Sequence, residues 1–148
     1  MVIVAAVDRS EQAGAVLREA DSLARQFDDV VHVLHVMKRS EAIQVEEDSV
    51  GHGDDGIPVS DLRDRAKRVA TELIGSHQFG AETEAVGRIG DPASEIVDYA
   101  EEKDARYVVV SPQQRSQTGK ILFGSVAQSV LLNAHCPVVS LRDQSLGQ

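Results

Sequence analysis

The sequence has no tryptophan, one cysteine, and aromatic residues at only 3%. Its rings are Phe27, Phe79, Phe123, Tyr99 and Tyr107, too few and too scattered for a base-stacking platform. With Cys136 as the sole cysteine, neither an intramolecular disulfide nor a multi-cysteine zinc site can form. No run approaches the roughly 18 apolar residues of a membrane span. The opening MVIVAAVDRS has no basic segment, and its apolar stretch is too short for a secretion signal. These absences point to a soluble, cytoplasmic protein. Basic charge is also scarce: 15 Lys and Arg stand against 24 Asp and Glu, a formal net charge of −9. Such a surface repels nucleic-acid backbones and anionic lipid headgroups, which argues against nucleic acid and membrane as partners. A small anion held locally by backbone N–H groups is still compatible with that charge.

What the chain does contain is ordinary globular material, with 42% hydrophobic residues over 148 positions, enough for one domain with one core. Short β-branched runs alternate with helical periods. Val2 to Val7 is a continuous apolar run, as in a strand covered on both faces. Ala13, Val16, Leu17, Ala20, Leu23, Ala24 and Phe27 then recur at spacings of three and four, with Ser10 as the expected N-cap. Val30 to Val36 is a second strand. Residues 38–60 hold Glu41, Glu46, Glu47, Asp48, Asp54 and Asp55 with three glycines and Pro58, which reads as an acidic solvated loop with a short helical start. Leu62, Ala66, Val69, Ala70, Leu73 and Ile74 restore a helix that stops near Gly75. Ala81 to Val86 alternates charged and apolar residues like an edge strand. Asp91 and Pro92 supply an N-cap and first turn to a helix burying Ile96, Val97 and Ala100. Tyr107 to Val110 is a buried strand, Gly124-Ser125 opens a last helix, and Pro137 to Leu141 closes as a strand. Five strands alternating with four helices predict an α/β three-layer sandwich on a parallel sheet. In such sheets ligands bind beyond the carboxyl ends of the strands.

Several apparent motifs fail on context. Gly51-His52-Gly53-Asp54-Asp55-Gly56 spells G-x-G-x-x-G, but it lies in the acidic loop and neither follows a strand nor opens a helix. Gly119-Lys120 lacks the upstream glycine and following Ser/Thr of a P-loop. His32 and His35 are three apart on a strand and point to opposite faces, so they cannot share a metal. His52 with Asp54 and Asp55 is a weak cation cluster without a scaffold, and no metal site is expected. Cys136 beside His135 reads as a small buried hydrophobe. The stretch from Val110 to Val126 stands apart. It leaves a buried strand, passes Arg115, Ser116, Thr118 and Lys120 without an acid, and enters a helix at Gly124-Ser125. That is where an anion would sit, although an ordinary polar loop ahead of a helix cap would read the same way.

Taken in order, V-D-x-S at Val7 to Ser10, L-H-V at Leu34 to Val36, G-D-P-x-x-E-I at Gly90 to Ile96, G-S-V-A at Gly124 to Ala127 and C-P-V at Cys136 to Val138 resemble the universal stress protein family. The resemblance implies an adenine nucleotide alpha hydrolase-like fold with strand order 3-2-1-4-5. It also implies a homodimer joined through the last strand, Val138 to Leu141. The nucleotide-binding branch carries G-x-x-G, nine residues, then G-S/T. Here those positions are Ser111, Gln114, Gly124 and Ser125, so the final pair is kept and both earlier glycines are replaced. Glycine there lets the backbone fold tightly against phosphate. Gln114 is bulky, and Pro112 removes an N–H donor. By the resemblance, Asp8 and Val36 lie near base and ribose, Gly124, Ser125 and Val126 lie nearer the phosphates, and Arg115 matches a basic residue able to meet a phosphate; Val7, Gly90, Ser111 and Gln114 complete the expected cofactor-binding set. The combined expectation is a non-enzymatic stress-response module with a degenerate nucleotide site and protein partners of unknown identity. The alternative is a switch that binds ATP with magnesium. No acid–base constellation supports a metabolic enzyme.

Overall fold

The computed structural model describes residues 1–50, 58–111, 114–115, 121–122 and 124–141. Its main sheet has five parallel strands: β1 (Val2–Ala6), β2 (Val30–Met37), β3 (Thr83–Ile89), β4 (Tyr107–Val110) and, last in the chain, β7 (Val138–Ser140). The order is β3-β2-β1-β4-β7, the 3-2-1-4-5 arrangement when the main-sheet strands are counted along the chain. Helices α1 (Ala13–Phe27) and α3 (Val59–Gly75) cover one face, and α4 (Pro92–Glu102) and α5 (Ser125–Asn133) cover the other. β1 is central, which explains its unbroken apolar run. Ile3 and Ala5 pack beneath α1, while Val4 packs beneath α4 and α5, and all three are fully buried.

Four expectations are corrected. First, the acidic segment is not mainly loop: α2 (Arg39–Val50) occupies its first half, giving five helices among the described residues rather than four. Among the described side chains of α2, only Ala42 and Val45 join the small cluster of Met37, Leu62, Ala66 and Ile89, so no sustained apolar period marks it. Its Glu, Ala and Gln residues are good helix formers in their own right. The G-x-G-x-x-G and the His52, Asp54, Asp55 group lie outside the described residues. Second, α1 begins at Ala13 with Gln12, not Ser10, at the cap position. The carboxylate of Asp8 accepts the Ser10 N–H at 2.8 Å, and the Ser10 carbonyl accepts the Ala13 N–H at 3.3 Å, so an extra turn separates β1 from the helix. Third, the edge strand runs later than the alternation suggested, from Thr83 to Ile89, because it pairs with β2 from Val31↔Thr83 through Met37↔Ile89. Fourth, the polar stretch after β4 carries two short antiparallel strands, β5 (Gln114–Arg115) and β6 (Ile121–Leu122). The cap on α4 matches expectation: Asp91 accepts from Ser94 N at 3.0 Å and Ser94 Oγ at 2.9 Å.

Two local contacts set the frame. At Gly87, α3 lies so close to β3 that a methyl group would run into the backbone of Arg63 and Lys67. At the amino ends of the strands, the carboxylate of Asp29 is almost fully buried. It accepts from Arg106 Nε at 2.6 Å and from the amino-terminal ammonium at 3.0 Å, tying the entries to β2, β4 and β1 together. The Arg106 hydrogen bond is the main cause that holds this carboxyl below its usual range, against the upward push of burial.

Gly87→Ala should destabilise the protein by about 2 kcal/mol in urea denaturation, the scale of overpacking against a helix that cannot retreat freely. An unchanged midpoint would show that α3 yields without cost. Asp29 gives a pH-dependent test. Because its folded pKa is lowered, its contribution is complete above about pH 4 and is lost as pH falls through the folded value. Asp29→Asn should lower Tm at pH 7 by about 5 °C. The two melting curves should converge in acid, and a constant gap at all pH values would disprove the assignment.

Candidate functional site

The sheet reverses direction in its connections at β1: the chain moves from β1 outward to β2 and β3, then returns to β4 on the other side. Open α/β sheets leave a crevice at the carboxyl ends of the strands flanking such a reversal. Here the crevice is a cavity of about 530 Å³. Its size falls within the ordinary range for small-molecule sites. It straddles the upper edge of the sheet. Leu34, Val36, Ile96, Val110 and Ala127 form walls belonging to the cluster under α4 and α5, while Val7, Ala13 and Val16 belong to the cluster under α1.

Of the residues expected at the site, Val7, Asp8, Val36, Ser111 and Val126 line this cavity together. Gly124 is the buried N-cap of α5 and Ser125 its exposed first residue; both adjoin Val126 without lining the cavity themselves. Gly90 is likewise set back. Its N–H donates to the Met37 carbonyl at 2.9 Å and its φ of 145° is one that favours glycine, while its near neighbour Pro92 reaches the cavity. Gln114 and Arg115 lie on β5; the structure describes their backbone pairing with Leu122 and Ile121.

Reasoning from sequence missed several lining residues. His35 is buried in the floor, with Nδ1 3.0 Å from the carbonyl of Val7. A carbonyl only accepts, so Nδ1 carries the proton and the ring locks the ends of β1 and β2 together. Arg65, Arg68 and Glu72 reach the cavity from α3, Lys38 from the end of β2, Glu41 from α2 and Arg9 from the turn after β1. Four cations and three carboxylates among the described residues therefore line the cavity, against a whole-chain balance of 15 to 24. The spacing 65-68-72 beside the buried stripe Leu62, Ala66, Val69 was the available signal for α3.

His32 points to the opposite face from His35, as strand alternation requires, and takes no part in the cavity. Its Nε2 is 3.1 Å from Glu84 and its Nδ1 2.6 Å from the Tyr99 hydroxyl. The carboxylate can only accept from the neutral ring, so Nε2–H donates to it and Tyr99 O–H donates to Nδ1. Burial lowers the pKa of His32 and pushes that of Tyr99 up to about 12, which keeps both neutral. Cys136 is half-buried against the α4–α5 cluster, and burial raises its thiol pKa. Among the described residues, no group of three or more His, Cys, Asp or Glu side chains is arranged to hold a metal ion.

The model of the universal stress protein family matches residues 1–142. The chain belongs to the universal stress protein family. A universal stress protein of Methanocaldococcus jannaschii is 28% identical over 149 residues, an alignment covering 95% of this chain and 81% of that one. The solved universal stress protein from Archaeoglobus fulgidus is 31% identical with a TM-score of 0.63, over 95% of this chain and 97% of that chain. A structure of the universal stress protein from Archaeoglobus fulgidus in complex with dAMP is 28% identical with a TM-score of 0.58, over 95% and 96% of the two chains. This universal stress protein shares their adenine nucleotide alpha hydrolase-like fold. No helix among its described residues is long and apolar enough to cross a membrane.

Proposed function

We propose that this universal stress protein is a non-enzymatic, dimeric stress-response module of the cytoplasm whose strand-end cavity takes an adenine nucleotide in a degenerate site. The observation that carries this reading is the convergence of Val7, Asp8, Val36, Ser111 and Val126 on one cavity of about 530 Å³ at the reversal point of the sheet. The dAMP complex of a relative 28% identical over nearly the whole chain supports the ligand class. Leu34, Val36 and Ile96 supply an apolar slot for a flat base, and Asp8 supplies an acceptor for ribose. Turnover has little support. The Asp8 carboxylate accepts the Ser10 N–H and His35 donates its Nδ1–H to the Val7 carbonyl, so both groups are tied to the end of β1 as structural contacts. Ser111, Pro112 and Gln114 replace the tight, donor-rich backbone that a phosphate loop would present.

Calorimetric titration with AMP, ADP and ATP in magnesium should give dissociation constants above about 10 μM, with no phosphate released on prolonged incubation. The double change Ser111→Gly and Gln114→Gly should tighten ATP binding. Low-micromolar ATP binding by the unaltered protein would favour the nucleotide-dependent switch instead, and an unchanged affinity in the double variant would sink the glycine argument.

The dimer reading rests on the edge of the sheet. β7 is an edge strand whose one neighbour among the described residues is β4, and Leu132 is 76% exposed on the adjoining α5. Apolar edge strands are natural templates for pairing with a second copy. Val139→Lys should shift sedimentation from dimer to monomer while far-UV circular dichroism stays native. A persistent dimer would place the interface elsewhere.

A further inference from the structure

Among the described residues, two of the cavity's four cations lie on α3, a wall that the glycine-loop pattern does not assign. Arg65 and Arg68 sit three residues apart on α3, on the stripe flanking the buried Leu62, Ala66 and Val69, and both line the cavity. Neither makes a side-chain hydrogen bond or ion pair among the described residues, although Glu72 lies one turn further along the same stripe. Lys38 adds a third such cation from the end of β2. Around the cavity the described residues place four cations beside three carboxylates, whereas the whole chain has 15 Lys and Arg against 24 acids. Two guanidinium groups on one helical face present forked donors that match phosphate oxygens. Their helix is held firmly, since its buried stripe packs on the sheet and its backbone touches β3 at Gly87.

We infer that the phosphate of the bound nucleotide is met by Arg65 and Arg68 of α3, rather than chiefly by the loop after β4. This rests on the nucleotide reading above and adds the residues that carry its charge recognition. A ligand lying across the sheet edge, with its base against Val36 and Ile96, would turn its phosphate toward the α1–α3 side of the cavity. There long, flexible arginines can follow it without a tight backbone cradle. That arrangement makes the replacements at Ser111 and Gln114 tolerable. It also makes affinity salt-dependent, because the charges are exposed rather than buried.

The test compares adenosine, AMP and magnesium ATP on the unaltered protein, on Arg65→Gln/Arg68→Gln, on Lys67→Gln as a charge control from the same helix, and on Arg115→Gln. The expected result is AMP and ATP binding weakened about tenfold in the double variant, with adenosine unchanged and Lys67→Gln without effect. An AMP affinity that the double variant leaves intact overturns the arginine assignment while the nucleotide reading stands. A larger loss from Arg115→Gln than from the α3 pair, or an equal loss from Lys67→Gln, also overturns it. Failure of the unaltered protein to bind adenosine, AMP and ATP alike overturns the nucleotide reading and this inference with it. Arg65, Arg68 and Lys67 are exposed on α3, and matching thermal melts of all three variants confirm that the fold is retained.

Discussion

Burial of β1 on both faces is the constraint from which the site follows. A strand made of Val, Ile and Ala, with Ile3, Val4 and Ala5 excluded from water, can sit only where helices cover the sheet above and below. From that central position it takes β2 on one side and β4 on the other. The connections must therefore diverge at its carboxyl end, and the gap they leave is the cavity. The pairing is reinforced there: Val7 N donates to the Leu34 carbonyl at 2.9 Å, and His35 returns a bond to the Val7 carbonyl. The floor of the cavity is thus tied together by these two bonds, while its walls come from separate helices and turns.

The two ends of the sheet use charge differently. At the amino ends, Asp29 draws Arg106 and the terminal ammonium into a compact cluster, and each partner of Asp29 is accounted for. Arg106 also lies over the Phe27 ring at 4.4 Å, so its side chain serves packing as well as pairing. At the carboxyl ends, the α3 arginines have no such partner among the described residues. The same contrast separates the two histidines of β2. His32 is closed off between Glu84 and Tyr99, and His35 faces the site.

Most of the fold was legible because its strands are Val-rich runs and its α4 cap is spelled out by Asp91-Pro92. The elements that escaped detection have weak local signals. Among its described side chains α2 buries only Ala42 and packs Val45, so its pattern is nearly silent. β5 and β6 are two residues each, below the length at which alternation can be seen. The start of α1 moved because Asp8 and Ser10 form a turn of their own, a competition between side-chain and helical hydrogen bonds. At the site, the family motifs pointed to Val7, Asp8, Val36, Ser111 and Val126, which do meet at the cavity. Arg65 and Arg68 did not stand out because exposed arginines on a helix ordinarily face bulk solvent. Whether such a stripe faces a cavity depends on how α3 lies across β2 and β3, which no local spacing records.

Gly87 has a meaning beyond packing. Because β3 bears no side chain at that point, α3 lies nearer the sheet than a helix resting on ordinary side chains would. The missing methyl therefore acts as a spacer of zero thickness between scaffold and wall. A side chain at position 87 would push α3 outward and carry its Arg65 and Arg68 stripe away from the sheet. A single position on an edge strand, itself outside the cavity lining, thereby sets how far the α3 wall stands from the rest of the cavity.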